Sequence, residues 1–303
     1  GAYPAFAITS FKPVSVLKGN FKSSGKGIWL RKSLVVFQFG ISVVLITGTL
    51  IVVKQLDFIQ GKKLGYDREN TIILPLDGKT REVYEALKTE LKRNEAALYV
   101  GRATESPVNI QGGYSISASE SPDHEILTTG LLADDEFIPA MGIEIMHGRN
   151  FSKQDVDRLR KDTVYSFMLN EAALASLSIK PEDAVGKKVD MGWIRKGEII
   201  GVVKNFHFAS LHTNIGPLVI FPEDQFGKIF IKLPAGNVTS SIKEVEKIYK
   251  SLVTHRPFEF QFVDQQYAAL YTAEQRMSSI FVVFAGLAII IACLGLLGLV
   301  SFS

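Results

Sequence analysis

The sequence predicts a membrane protein in which two α-helical spans flank an α+β domain. Three observations lead to this fold class. The mean hydropathy of the 303-residue chain is +0.16, an uncharged apolar run lies near each end, and mixed strand and helix patterns fill the residues between the runs. A chain of this length could hold about two soluble domains. Its hydropathy is higher than two soluble domains need, which indicates that part of the chain lies in lipid.

The first apolar run is Leu34–Val53 and the second is Ile280–Phe302. No charged residue lies between Lys32 and Lys54, and none follows Arg276. A helix of about 20 residues, at about 1.5 Å per residue, crosses the roughly 30 Å hydrocarbon layer of a bilayer. We therefore predict transmembrane helices at 34–53 and 280–303 rather than buried core helices.

Basic residues before the first run predict the orientation. Residues 1–33 form a basic linker without acidic side chains, and the positive-inside rule places it in the cytoplasm and residues 54–279 outside it. The run is longer than the roughly 7–15 residues of a signal-peptide core and no A-x-A-like site follows, so an uncleaved anchor is favoured. Because this basic excess adjoins an apolar run instead of covering a folded surface, no nucleic-acid partner is predicted. The basic residues are Lys12, Lys18, Lys22, Lys26, Arg31 and Lys32.

Both predicted spans contain small or polar side chains that would let helices approach closely. Lipid offers no hydrophobic drive between helices, so such faces commonly mark helix contacts. We expect them to pack on other helices of the same protein or of a partner, although Gly and Ala are also simply frequent in spans. The residues are Gln38, Ser42 and Gly48 in the first span, and Gly286, Ala292, Gly295 and Gly298 in the second.

The residues after the first span predict a helix that continues above the membrane. Lys54–Leu64 has no helix breaker before Gly61, and Gln55 and Phe58 lie on this predicted stalk. Apolar residues four apart then predict a helix over 79–93. Short β-type runs flank this helix, at Thr71–Leu76 and Leu98–Thr104.

Residues 105–205 predict a smaller lobe built of short strands. Runs such as YSISAS, EILTTGLL and EIIGVV alternate with clusters rich in Ser, Gly and Pro. Two short helices are predicted, near Asp134–Met141 and Asn170–Leu177, the first with acidic residues at its start, where they favour a helix N-terminus.

The strand–helix–strand pattern then recurs over 218–263. LVIFP, KIFIKL and FEFQFV predict strands, and apolar residues three or four apart after Val238 predict a helix. We expect two βαβ-like halves, about 66–105 and 215–264, to form one lobe around an inserted lobe at about 106–214. A second stalk helix is expected to run from Asp264 into the second span without a break. It carries Tyr267, Leu270, Tyr271 and Glu274.

The sequence contains no catalytic, cofactor-binding or metal-binding motif. Its nearest stretch to a nucleotide-binding loop, GNFKSSGKG, has the wrong glycine spacing, and neither G-x-S-x-G nor H-E-x-x-H occurs. The five histidines lack ligand spacing, and Cys293 is the sole cysteine. Phe206 and Phe208 around His207 could line a ligand pocket, but aromatic residues after an apolar strand favour a core. We predict that the chain is not an enzyme and needs no cofactor.

Several phrases, taken together in their order and spacing, resemble one family: the MacB/FtsX-like permeases of ABC-type systems. The chain is most similar to the long, duplicated kind found in Bacteroidetes-type bacteria. The resemblance covers essentially the whole chain. Its phrases lie at Tyr3–Gly19, Leu30–Ser42, Phe137–Ser152, Leu169–Leu177, Ala184–Val189, Ile199–His212, Phe262–Phe281 and Ala292–Phe302.

The resemblance implies a type VII ABC architecture in the bacterial inner membrane, with several spans and a large periplasmic domain. The chain would be a fragment that covers the second repeat as far as its second span. Its periplasmic domain, 54–279, would hold a porter-like lobe with an inserted Sabre-like lobe. The ATPase would be a separate cytoplasmic partner, whose hydrolysis of ATP moves the periplasmic domain by mechanotransmission.

In that family, the same motion serves efflux or other export, or lipoprotein handling. Besides the ATPase and the lipid bilayer, a periplasmic adaptor and an outer-membrane channel are open as partners. Two other interpretations remain. The chain could be a two-span sensor with a periplasmic ligand-binding domain, or a membrane-anchored periplasmic enzyme, which the missing motifs disfavour.

Overall fold

The computed structural model describes residues 25–300 except 163, 193 and 224. Most of the predicted basic linker 1–33 and the last residues of the second predicted span therefore lie outside the described residues. The chain divides into two units, which are treated separately below. The helical unit takes the residues up to Phe58 and from Ala273 onward, and the α+β unit takes Ile59–Thr272.

The described residues form both strands and helices. The strands are β1 (Thr71–Pro75), β2 (Tyr99–Ala103), β3 (Gly113–Ala118), β4 (Glu125–Leu132), β5 (Ile145–Gly148), β6 (Val164–Asn170), β7 (Lys188–Met191), β8 (Arg195–Val203), β9 (Leu218–Phe221), β10 (Lys228–Lys232) and β11 (Gln261–Phe262). The helices are α1 (Gly25–Gly61), α2 (Gly78–Glu82), α3 (Tyr84–Arg93), α4 (Phe137–Ala140), α5 (Lys153–Asp162), α6 (Glu171–Ser176), α7 (Val238–Leu252), α8 (Val263–Ala269) and α9 (Thr272–Val300), with a 3₁₀ turn at Pro181–Asp183.

Helices α1 and α9 are long and apolar enough to cross a membrane, over Ser33–Gly61 and Thr272–Leu297. Only 11% of the most apolar part of each helix is buried, whereas the core helix of a soluble protein is mostly buried. Large side chains such as Phe37 and Ile290 are exposed instead. The predicted arrangement of two apolar helices flanking an α+β domain is confirmed. The predicted continuation of the first helix beyond Val53 is also present, although α1 ends at Gly61 and not at Leu64.

A four-stranded antiparallel sheet has the strand order β11-β1-β10-β2. With its helices it forms a β-α-β-β-α-β arrangement, in which each half supplies one long helix. Alternate residues of β1 face opposite sides, so Ile72 and Leu74 join the core under α3 and α7, while Ile73 joins a second core. Leu87 and Leu91 of α3 are fully buried in the first core, as the four-residue spacing predicts.

The other sheet has seven strands in the order β5-β8-β6-β9-β4-β3-β7, and β7 pairs in turn with β8. Six of these strands therefore close into a ring, to which β5 is attached through β8. The β4–β9 and β6–β8 pairs are parallel and the others are antiparallel. Phe167, Ile199 and Phe221 lie in its core without exposed surface.

The predicted boundary of the inserted lobe at 214 is wrong, because β9 belongs to the ring and not to the four-stranded sheet. All four residues of β9 are buried between β4 and β6. A short run that is apolar on both faces is typical of such a central strand. The chain returns to the four-stranded sheet only at Lys228. Three strands (β5, β6 and β7) and helix α5 also lie where no element was predicted, and of FEFQFV only Gln261–Phe262 pairs as a strand.

The predicted unbroken stalk from Asp264 into the second span is wrong as well. Helix α8 ends at Ala269 and α9 begins at Thr272. Between them the N–H of Leu270 donates to the carbonyl of Tyr267, and that of Tyr271 to Ala268, each at 3.1 Å. These bonds span three residues instead of four and so tighten the chain into a turn.

A substitution at Gly101 would test how closely α4 packs on the four-stranded sheet. A Cβ at this position would lie 2.5 Å from the nitrogen of Phe137, whose ring packs on Phe230 with centroids 5.1 Å apart. Because backbone atoms cannot rotate away, we expect Gly101→Ala to lower the free energy of unfolding by about 1–3 kcal/mol. Thermal unfolding of the purified chain in detergent measures this. Gly113→Ala is the control, since a Cβ there meets no atom within 4 Å; equal melting temperatures for the two variants would contradict the packing.

Candidate functional site

The candidate site is the part of the α+β unit where the chain enters and leaves it. We call it the base cluster and define it as Ile59, Gln60, Tyr66, Arg68, Leu211, Tyr267 and Tyr271. Ile59 and Thr272 are the first and last residues of this unit. The hydroxyl of Tyr267, in α8, donates to the carbonyl of Ile59 at 3.0 Å. The two connections of the unit are thus tied to each other inside it.

The last carbonyls of α1 depend on this cluster. The final four carbonyl groups of an α-helix have no partner within the helix, and α1 ends at Gly61. Tyr267 satisfies the carbonyl of Ile59, and the guanidinium of Arg68 satisfies that of Gln60. The charge of Arg68 also suits the negative end of the helix dipole. The guanidinium carbon lies 4.4 Å from the centre of the Tyr267 ring, which adds a cation–π contact.

Tyr271 lies in the turn between α8 and α9 and points into the core. Its side chain is buried, and its ring meets that of Tyr267 edge to face with centroids 5.2 Å apart. Its hydroxyl accepts a hydrogen bond from the N–H of Leu211 at 2.8 Å. Leu211 lies in the connection between β8 and β9, so this bond links the end of α8 to the ring lobe.

Tyr66 is buried against the same connection. Its ring packs edge to face on Phe206 at 6.1 Å, and burial raises the pKa of its hydroxyl well above the usual value, so the group stays protonated. Gly65 makes this contact possible, because it has a φ of +88° and a Cβ there would lie 2.8 Å from the Cβ of Phe206. Phe206 and Phe208 are buried core residues, which confirms the core interpretation of this aromatic pair.

The structure places the predicted stalk residues in two different surroundings. Tyr267 and Tyr271 are buried, and Leu270 packs partly buried against the same core. Gln55 and Phe58 are exposed on α1, and Glu274 is half-buried at the start of α9. Sequence reasoning missed Arg68, although an arginine a few residues after a helix end is a known way to pair its carbonyls. It also missed Leu211, whose backbone N–H no sequence pattern identifies.

Within the helical unit, four of the predicted packing residues lie at the contact of α1 with α9. Ser42 and Ala292 are buried, and the hydroxyl of Ser42 lies 3.5 Å from the carbonyl oxygen of Ala288. A Cβ on Gly295 would lie 3.3 Å from Oε1 of Gln38. Gly48 and Gly286 are open, with nothing within 4 Å of a Cβ, so they do not contribute to this contact. The surroundings of Gly298 lie outside the described residues.

The described residues form no group of three or more His, Cys, Asp or Glu side chains that could hold a metal ion. Of the histidines, His255 pairs with Asp77 at 2.9 Å and His124 bonds the carbonyl of Ser176. The base cluster instead joins the two chain connections of the α+β unit through the hydroxyl of Tyr267, and joins the end of α8 to the connection after β8 through that of Tyr271.

The chain is similar to solved domains of membrane proteins. The periplasmic region of MacB from Actinobacillus actinomycetemcomitans is 17% identical, with a TM-score of 0.45, and the match covers 70% of this chain and 97% of that one. The extracellular domain of the noncanonic ABC-type transporter YknZ from Gram-positive bacteria is 14% identical, with a TM-score of 0.42 and coverage of 63% and 98%. A domain of a protein described as a permease from Porphyromonas gingivalis is also 14% identical, with a TM-score of 0.37 and coverage of 55% and 69%.

These matches confirm that the chain resembles MacB, as the sequence predicted. All three TM-scores are below 0.5. No protein-family model matches the chain, and no curated protein sequence matches it.

The Tyr271–Leu211 bond can be tested by one isosteric change. Tyr271→Phe keeps the ring but leaves the N–H of Leu211 without its acceptor, and we expect a loss of about 1 kcal/mol in the free energy of unfolding. In a domain of this size that corresponds to a melting temperature about 2–4 °C lower. Tyr99→Phe is the control, because this ring is 40% exposed on β2. A control that loses as much stability as Tyr271→Phe would remove the hydrogen bond as the cause.

Proposed function

We propose that the chain is part of the permease subunit of an ABC-type transporter in a bacterial inner membrane. The observation that carries the proposal is that the α+β unit continues at both ends into helices apolar enough to span a membrane. The ordered phrases of the sequence support the same family. We further propose that the protein is a multi-pass protein of the inner membrane and that the α+β domain is periplasmic. The six basic residues before the first span favour this orientation.

The proposed role of the α+β domain is to move in response to ATP hydrolysis by a partner protein. The base cluster is the proposed path by which motion of the spans reaches the domain. A partner ATPase would hydrolyse ATP in the cytoplasm and move the spans. Helix α1 is unbroken to Gly61, so its motion would reach Ile59 and pass through the Tyr267 hydroxyl to α8. From there the Tyr271–Leu211 bond would carry it toward the ring lobe. A rigid path is required, because a flexible linker would absorb the displacement.

The proposed process is export, which would be either efflux of a substrate or handling of a lipoprotein. A periplasmic adaptor and an outer-membrane channel are the further partners that such export would need. The stalk role of Gln55, Phe58, Leu270 and Glu274 is part of the proposal, and so is the packing of Gly48 and Gly286 on helices of the same protein or of its partner. The two-span sensor is the alternative that the experiments below separate from it.

The proposed orientation can be tested by cysteine labelling in intact cells. Cys293 is exposed in α9, so a Cys293→Ser background is needed. In that background we expect Lys180→Cys, on an exposed loop of the α+β unit, to react with a membrane-impermeant maleimide once the outer membrane is opened. Trp29→Cys, which is before the first span and 71% exposed, should react only after the inner membrane is permeabilised. The reverse pattern would overturn the orientation.

The proposed partner can be tested by purifying the full-length protein from detergent-solubilised membranes and identifying what accompanies it by mass spectrometry. We expect a separate ATP-binding protein with a Walker A motif, because this chain has none. An unrelated two-span membrane protein, purified in parallel, controls for ATPases that co-purify non-specifically. Recovery of a kinase or other signalling protein without any ATPase would favour the sensor instead.

A further inference from the structure

Within the α+β unit, the loop between α1 and β1 is held against the segment that follows β8. The N–H of His207 donates to the carbonyl of Leu64 at 2.8 Å. The ring of Tyr66 packs on the same segment beside this bond. We call this the loop contact and define it as residues 62–66 against residues 205–208.

The two sides of the loop contact are anchored separately. The N–H of Asn205 donates to the carboxylate of Glu171 in α6 at 2.7 Å, and the carbonyl of Phe208 accepts from the N–H of Ile110 at 3.0 Å. These anchors hold the segment to the chain between β2 and β10, which forms the ring. The loop begins instead where α1 ends, at Gly61. If the loop contact opened, the segment would therefore keep its own anchors.

The side chain of His207 lies at this contact near a cation. It is half-buried and lines a cleft that Lys62 also lines. Burial and the positive charge of Lys62 both lower the pKa of His207 below its ordinary value. A second positive charge is unfavourable in such a position, because it would lose water and be repelled by the first. The closed contact therefore favours the neutral imidazole.

The carboxylates around the cleft are poorly placed to stabilise a charged His207. Asp67 pairs with Lys232 at 2.5 Å, and Glu144 pairs with Lys204 at 2.9 Å. Glu69 is exposed, so solvent and salt screen its charge. The cations that line the cleft are Lys62, Lys63, Arg68 and Lys204.

We infer that protonation of His207 opens the loop contact, which gives the α+β unit an acid-sensitive point beside the base cluster. An imidazolium at this position would be repelled by the ammonium group of Lys62 and would be better solvated in the open state. Opening would separate the loop that follows α1 from the ring. The inference concerns a contact within the α+β unit, and only an effect of acid on transport would rest on the proposed function.

The direction of the pH effect follows from the lowered pKa of His207. In the open state the imidazole titrates near the ordinary histidine value of about 6.5, and in the closed state it titrates at a lower pH. Between these two values the open state binds a proton that the closed state does not bind. Acid therefore shifts the equilibrium toward the open state, and the contact weakens as the pH falls below about 6.5.

Hydrogen–deuterium exchange of the full chain in detergent measures this opening, at about pH 7.5 and about pH 5.5, on either side of the ordinary histidine pKa. The amide of His207 reports it directly, because its N–H makes the bond to Leu64. After correction for the intrinsic pH dependence of exchange, we expect the protection of residues 205–208 to fall at least about twofold in acid. Helix α3 is the internal reference and should show no such fall.

Three variants separate the charge of His207 from other effects of acid. His207→Gln stays neutral, so we expect its protection to be the same at both pH values. Lys62→Gln removes the repelling charge from an exposed side chain, and we expect it to reduce the acid response. The matched control is His124→Gln, which changes an exposed histidine before β4 and should keep the full acid response.

Melting temperatures at about pH 7.5 verify that each variant is folded before exchange is compared. The inference is overturned if residues 205–208 keep their protection in acid. It is also overturned if His207→Gln, or Lys62→Gln should the first variant not fold, responds to acid as fully as the unchanged chain. No ATPase is present in any sample, so the result is independent of the partner experiment.

Discussion

The free carbonyl groups at the end of α1 set the constraint on which the rest of the α+β unit depends. The last carbonyls of a helix are satisfied by side chains, by other backbone groups or by water. Here the donors come from inside the folded unit, from Tyr267 and Arg68. Because Tyr267 belongs to the last helix of the unit and Arg68 to its first loop, the two chain connections cannot separate without exposing these carbonyls.

The break between α8 and α9 changes how a displacement could pass through the molecule. An unbroken rod would carry a push along its axis and make little use of side chains. In the proposed coupling, the turn would make the path depend on two tyrosine hydroxyl groups, which bond the backbone of Ile59 and of Leu211. Hydrogen bonds have a narrow range of distance and angle. A small rotation of either tyrosine would therefore weaken its hydrogen bond or displace the partner group.

The parts that the sequence predicted well are those decided by local physics. Transfer of an apolar run into lipid adds up residue by residue, so both spanning helices could be predicted from composition and length. Helices α3 and α7 were predicted because their apolar residues recur with the helical period. The pairing of β9 with β4 and β6 was not, because the choice of a strand's neighbours is a long-range matter and β9 is adjacent in sequence to β10. Strand β6, VYSFMLN, is buried almost throughout and lacks an alternating pattern.

The base cluster could be predicted only in part, for the same reason. The spacing of Tyr267, Leu270 and Tyr271 predicted helix packing, and these residues do pack against the second core of the α+β unit. Their partners Ile59 and Leu211 contribute backbone groups, which carry no signal in the sequence. Arg68 and Tyr267 lie near opposite ends of the sequence of the α+β unit, although the guanidinium carbon is 4.4 Å from the centre of the ring. Such contacts exist only once both lobes are formed.

The inserted ring begins and ends at neighbouring points of the four-stranded sheet. The N–H of Gly227 donates to the carbonyl of Ala103 at 3.2 Å, and Thr104 bonds back to Leu132 of the ring at 3.0 Å. Each doubling of a connecting segment adds only about 0.6 kcal/mol of closure cost, and a ring that holds its own ends together removes much of that. The lobe can therefore be enlarged, shortened or exchanged for another fold while β2 and β10 stay side by side. Changes in the sequence and size of the ring can therefore accumulate without disturbing the pairing of β2 with β10.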